Sequence, residues 1–189
     1  VSEFEYVRSG LTKGGQSFCL RPAQEADGDQ IIANIRAVCA EQRYLMTDTF
    51  ILTPDWEQAL THSVDVAARH LLVVAEIQGR IAGHLRLFPP WYGERGRHVG
   101  EIGISLIAPW REQGIGKALL GYAIEWAGYA KLRKLSVSVF STNQCALNLF
   151  SLYNFIQEGY RPAQFLVEGQ YVDEVLLGRL IQSELSNII

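Results

Sequence analysis

The chain has 189 residues, 48% of them apolar, which suits one domain with a full core. Its 17 basic against 20 acidic residues leave no strongly basic surface, which excludes nucleic acid as the primary ligand. The three cysteines, Cys19, Cys39 and Cys145, are widely spaced and lack a Cys-x-x-Cys pair or a neighbouring histidine, so a disulfide scaffold and a zinc site are both excluded.

Residues 1–16 are mixed and contain Gly14-Gly15, and are expected to be an N-terminal tail or an edge strand ahead of a domain over 17–189. Ser17 to Arg21 reads as a strand stopped by Pro22. Ile31, Ile35, Val38 and Cys39 recur at helical spacing and predict a helix from about Asp27 to Gln42. Pro54 is placed to open a second helix, expected to run to about Ala68. His70 to Ile77 and Arg80 to Phe88, joined by Gln78-Gly79, predict a hairpin ended by Pro89-Pro90, with a polar loop to His98.

An apolar strand then runs from Val99 through Ile107, and a helix begins near Ile115. Ile115, Ala118, Leu119, Tyr122, Ala123, Trp126 and Ala127 mark its buried face. A strand over Lys134 to Phe140, a helix over Asn143 to Tyr153 and two final strands complete a mixed sheet. No signal peptide and no apolar run of about 18 residues is seen, so neither secretion nor a membrane span is expected, and a cytoplasmic location follows.

Between the strand and the helix lies Arg111-Glu112-Gln113-Gly114-Ile115-Gly116-Lys117, which reads as an anion site. Its glycines let backbone N–H groups turn toward a ligand, and the helix start adds unpaired donors and the positive end of its dipole. A Walker A loop is excluded, because Arg111 stands where its first glycine belongs and Ala118 follows Lys117. A dinucleotide fingerprint needs a third glycine where Leu119 stands.

What remains is Arg-x-x-Gly-x-Gly after a strand, and it resembles the loop of the GNAT superfamily of N-acetyltransferases. Leu135 to Ala146, with its Asn143-x-x-Ala146 pair, then Leu149-Phe150 and Asn154-Phe155, resemble that family's next strand, helix and closing Leu-Tyr...Gly-Phe. Glu158 to Arg161 and Gly169 to Glu174 are similar to bacterial members related to ribosomal-protein N-terminal and phosphinothricin acetyltransferases. The resemblance implies a single α/β domain: a mixed, mostly antiparallel sheet flanked by helices, its central parallel strand pair splayed at the cofactor site. It also implies acetyl-coenzyme A as donor, no metal, and a primary amine, on a small molecule or a peptide N-terminus, as acceptor. The alternative is a coenzyme A-binding regulator that keeps the fold and has weak or no turnover.

The resemblance places pantetheine along the strand, on the backbone of Ile104, Leu106 and Ile107, with the oxyanion donor a free N–H at Leu106 or Ile107. The phosphates fall to Arg111, Glu112, Gln113, Gly114, Ile115, Gly116 and Lys117, Arg111 being open to a carboxylate instead. Asn143 is both an N-cap and a cofactor contact, and Ala146 and Phe150 lie beside the cofactor. Glu101 shares a strand face with Gly103 and Ser105 and is the candidate base, its other readings being a strand cap or a partner of Arg86 or His98. The family's acidic tyrosine is replaced by Phe150. Tyr153, one turn on, is the candidate substitute and otherwise a core residue, leaving water or another hydroxyl to assist the thiolate.

Acceptor contacts are expected from Glu41 to Leu52, Trp91 to Arg97 and around Tyr160. Glu41, Tyr44 and Asp48 suit a cationic amine, and Arg86 and Arg95 a carboxylate. His62, His70, His84 and His98 show no metal spacing and read as structural, and a homodimer through the last strands is expected.

Overall fold

The computed structural model describes residues 3–181. Its strands are β1 (Arg8–Leu11), β2 (Ser17–Pro22), β3 (Val64–Asp65), β4 (His70–Ile77), β5 (Arg80–Phe88), β6 (Val99–Leu106), β7 (Lys134–Phe140), β8 (Ile156–Val167) and β9 (Gln170–Leu180). Its α-helices are α1 (Gly28–Ala40), α2 (Pro54–Thr61), α3 (Ile115–Tyr129) and α4 (Gln144–Leu152). The strands form one open sheet in the order β1-β2-β4-β5-β6-β7-β9-β8, with β3 added to β4.

β4 and β5 are near-continuous apolar runs, and such strands are stable only where both sheet faces are covered. Alternation divides them accordingly. Leu71, Val73, Leu85 and Leu87 enter a core with Leu119, Tyr122, Trp126 and Phe150 of α3 and α4. Leu72, Val74 and Ile81 enter a smaller core with Ile31, Ile35 and Ala59 of α1 and α2. The β4–β5 turn is made by Gln78 and Gly79 at φ 51° and 78°, a pair of positive φ values that matches the twist of the flanking strands. Arg8–Leu11 adds to the sheet edge against β2, and Phe4 packs edge-on against Tyr122 at 5.1 Å.

One element departs from the sequence reading. The helix begun by Pro54 ends at Thr61, short of Ala68, because Val64 and Asp65 pair with Leu71 and His70, and backbone spent on that ladder cannot remain helical.

All neighbouring strands are antiparallel except β6 and β7. That parallel ladder holds only Val99↔Lys134, Gly100↔Leu135 and Glu101↔Ser136, although β6 continues to Leu106 and β7 to Phe140. Past Glu101 the two strands separate in the middle of the sheet. β6 stays attached to β5 throughout, down to Gly83↔Leu106.

Gly83 permits that attachment, since a Cβ there would lie 2.5 Å from the Ser105 carbonyl oxygen. Gly83→Ala must push β5 from β6. It is expected to cost about 1–3 kcal/mol in urea unfolding, with Tm lower by about 2–4 °C per kcal/mol.

Candidate active site

The loop between β6 and α3 is shaped by two left-handed residues, Glu112 at φ 59° and Gly114 at φ 92°. The first intrahelical bond runs from Ala118 N–H to Gly114 O (3.2 Å), so the N–H groups of Ile115, Gly116 and Lys117 have no intrahelical acceptor. No acidic side chain occupies that first turn, and nothing lies within 4 Å of where a Gly114 side chain would begin. Gly116 is small for another reason. A Cβ there would lie 3.4 Å from Leu149 and 3.5 Å from Leu106, so the glycine seats α3 against β6 and α4. The result is an open cluster of donors backed by the helix dipole, suited to phosphate.

Arg111 is turned to a carboxylate. Its Nη1 and Nη2 each donate to Glu41 at 2.6 Å, and its Nε donates to the Leu106 carbonyl at 2.9 Å. The guanidinium also lies 4.1 Å above the Tyr44 ring. Glu41 is the C-cap of α1, so this fork fastens that helix to the end of β6, and it holds the Glu41 carboxyl below the usual carboxylate range. Glu41 and Tyr44, read from the sequence as amine contacts, are therefore engaged by Arg111.

The backbone of β6 presents its donors alternately. The Ile107 N–H is given to Ala82 O at 3.2 Å, which corrects the expectation that it is free. Antiparallel pairing directs alternate residues to one neighbour, so Ser105, Gly103 and Glu101 also bond toward β5, and Ile104 and Leu106 direct their N–H groups into the gap left by β7.

A cavity of about 860 Å³ opens over this gap, lined by Glu101, Gly103, Ile104, Asn143, Ala146 and Phe150 among others. Its other half carries Phe50, Trp56, Phe88, Trp91 and Tyr92. Glu101 is half-buried on the cavity face, and burial raises its pKa. Among the described residues it has neither an ion pair nor a side-chain hydrogen bond. The arginines and the lysine that line the cavity are engaged elsewhere, Arg86 with Asp55 (2.9 Å), Lys134 with Glu158 (2.6 Å) and Arg161 with Glu174 (2.8 Å). Gly103 has open space where a side chain would stand, so the floor beside Glu101 is clear.

Asn143 Oδ1 accepts from Ala146 N–H at 3.1 Å, capping α4 while lining the cavity. Phe150 is buried, edge-on to Phe155 at 5.1 Å. Tyr153 is not brought to Glu101. It is the C-cap of α4, and its hydroxyl donates to the Lys117 carbonyl at 2.7 Å, lying over Gly121 of α3 and outside the cavity lining. No group of three or more His, Cys, Asp or Glu among the described residues is placed to hold a metal ion.

Several lining residues escaped the sequence reading. Glu174 is buried, accepts from the Ser138 hydroxyl and pairs with Arg161 at 2.8 Å, joining β7, β9 and β8 at the cavity wall. His84 and Ser105, directly opposite each other on β5 and β6, are also buried in the lining. The available signal was alternation: His84, Arg86 and Phe88 share one face of a strand whose other face is aliphatic.

The Arg111–Glu41 fork has a measurable consequence. In urea unfolding, Arg111→Lys and Glu41→Gln are each expected to destabilise, and the double variant to lose about 0.5–1 kcal/mol less than the sum, because the pair is only partly shielded from water.

The sequence pattern of the acetyltransferase (GNAT) family matches residues 32–155. An L-amino acid N-acetyltransferase of Escherichia coli strain K12 is 29% identical over 109 residues, 57% of this chain and 67% of that protein. A GNAT-family acetyltransferase of Streptococcus pneumoniae superposes with a TM-score of 0.78 at 27% identity, covering 87% of this chain and 99% of the other. A phosphinothricin acetyltransferase of Sinorhizobium meliloti, solved with acetyl-coenzyme A, shares the fold with a TM-score of 0.77 at 22% identity, over 90% and 91% of the two chains.

Proposed function

The chain belongs to the acetyltransferase (GNAT) family, and we propose that it moves the acetyl group of acetyl-coenzyme A to a primary amine by direct attack, with Glu101 as general base. The carrying observation is an unpaired, half-buried carboxylate beside the open Gly103 floor, between a row of free backbone donors and an aromatic chamber.

The donor fits the residues present. The N–H groups from Gln113 to Lys117, with Gly114 open and no acid in the first turn, receive its phosphates. The N–H groups of Ile104 and Leu106 hold the pantetheine amides as a partner strand would, and one of them points at the oxygen that becomes negative during attack. Arg111 serves by positioning: it holds the Leu106 carbonyl and the α1 end in place. Bound acetyl-coenzyme A supplies the activated thioester and a thiolate able to leave.

An amine reaches the site as an ammonium ion and must lose a proton to attack. Glu101 takes that proton directly or through one water, and burial raises its basicity toward the task. With Tyr153 donating to Lys117 and Phe150 in the tyrosine position of the resemblance, the leaving sulfur takes its proton from water. The acceptor is an amine-bearing small molecule or peptide entering between Phe50, Trp56 and Trp91. The relation to an L-amino acid N-acetyltransferase supports the smaller class. We further infer that two copies associate along β8, one of the two edge strands of the sheet, where Ile156 and Leu166 are exposed. Light scattering should then give the dimer mass, and Leu166→Lys the monomer mass.

The test is free-thiol release from acetyl-coenzyme A with amino acids, polyamines and peptides as acceptors, corrected for donor hydrolysis. Glu101→Gln is expected to lower kcat by about 10²- to 10⁴-fold while the donor Kd stays unchanged. Because burial raises the Glu101 pKa and the ionised form is the base, activity should fall as pH drops through a value above the ordinary carboxylate range. That acid limb should vanish in Glu101→Gln. Full activity in the variant, or no acetylated product from the wild type, would overturn the assignment.

A further inference from the structure

His84 and Ser105 face each other across β5 and β6 on the cavity side of the sheet. Both are more than nine-tenths buried, at 4% and 7% exposure. Neither the His84 Nδ1 nor the Ser105 Oγ has a hydrogen-bond partner among the described residues, and they do not bond to each other. A buried polar atom without a partner is costly, so two of them side by side on a cavity floor indicate a group that arrives from outside.

The surroundings restrict that group. Burial, and then the charge of Arg86, hold the His84 pKa down to about 4, so the imidazole is neutral at neutral pH and offers one donor and one acceptor. The neighbouring charge is already balanced: Arg86 pairs with Asp55 and lies over the Trp56 ring at 4.7 Å. His84 itself meets Trp56 edge to face at 5.8 Å. The floor is thus polar but uncharged, and walled by aromatic rings. An anion would meet no free cation here, and an ammonium no free carboxylate.

We propose that His84 and Ser105 form a specificity subsite for an uncharged donor–acceptor group of the acceptor, such as a carboxamide. The proposal rests on the acetyltransferase reading above and deepens it. Successive same-face residues on a strand lie about 7 Å apart, so this subsite sits about 7 Å from the open Gly103 position and about 13 Å from Glu101. It therefore reads the far end of an acceptor whose amine reacts near Gly103.

A matched series tests this: δ-aminovaleramide, δ-aminovalerate and hexylamine, with acetyl-coenzyme A as donor. The wild type should favour the amide in kcat/KM by about 10- to 100-fold over both others, expressed mainly in KM. Ser105→Ala and His84→Leu should each erase most of that preference by raising KM for the amide far more than for hexylamine, and His84→Asn, which keeps a polar atom near Nδ1, should restore part of it. Equal rates in the wild type, or a preference that survives both substitutions, would overturn the subsite. A second readout needs no turnover. With coenzyme A present, the amide should shift the isotope-labelled imidazole nitrogen signals of His84 and hexylamine should not. Unmoved signals overturn the subsite, whereas moved signals with no acetylation retain it and reject the acetyltransferase reading instead.

Discussion

The parting of β6 from β7 after Glu101↔Ser136 is the constraint on which the site depends. A sheet interior normally spends every backbone N–H and C=O on a neighbour, because an unpaired buried group is costly. Here β6 remains bonded to β5 on one side and loses β7 on the other, so the outward donors at Ile104 and Leu106 are left for a ligand. The gap also widens the cavity over Gly103 and exposes it to Asn143, Ala146 and Phe150 of the next helical segment. A single break in a ladder thus yields both a docking edge and a chamber.

Arg111 keeps that break usable. Its side chain donates to the idle carbonyl of Leu106 and to the carboxylate at the end of α1 in one planar fork, which ties that helix to the end of β6. Elsewhere in the cavity, charges are paired in place: Arg86 with Asp55, Lys134 with Glu158, Arg161 with Glu174. Glu101 stands apart from these pairs, so its proton affinity follows burial instead of a cation. A carboxylate set apart in this way retains the basicity that a neighbouring arginine would remove.

Much of this was legible in the chain. The strand limits at His70, Ile77, Arg80, Phe88, Lys134 and Phe140 follow from long apolar runs bounded by turn residues, and those runs also required helices on both sheet faces. The α3 donors were legible because Gly114 at positive φ has a local cause. The end of α2 was not, since Val64 and Asp65 leave helical geometry for a ladder with residues yet to come. The surroundings of Tyr153 were open for a similar reason: helical spacing set it one turn past Phe150, but only the packing of α4 on α3 turned its hydroxyl to Lys117.

The sequence by itself determined what is local or periodic: the apolar faces, the hairpin, the left-handed loop before α3, the Asn143 cap and the side of β6 on which Glu101 lies. The tertiary structure decided what depends on partners distant in the chain. It assigned Arg111 to Glu41, spent the Ile107 N–H on Ala82, left Glu101 without a counter-ion among the described residues and brought His84 to Ser105. The physical reason is that a dihedral preference or a hydrophobic period acts within a few residues, whereas hydrogen-bond satisfaction and charge pairing are settled only when the strands take their places in the sheet.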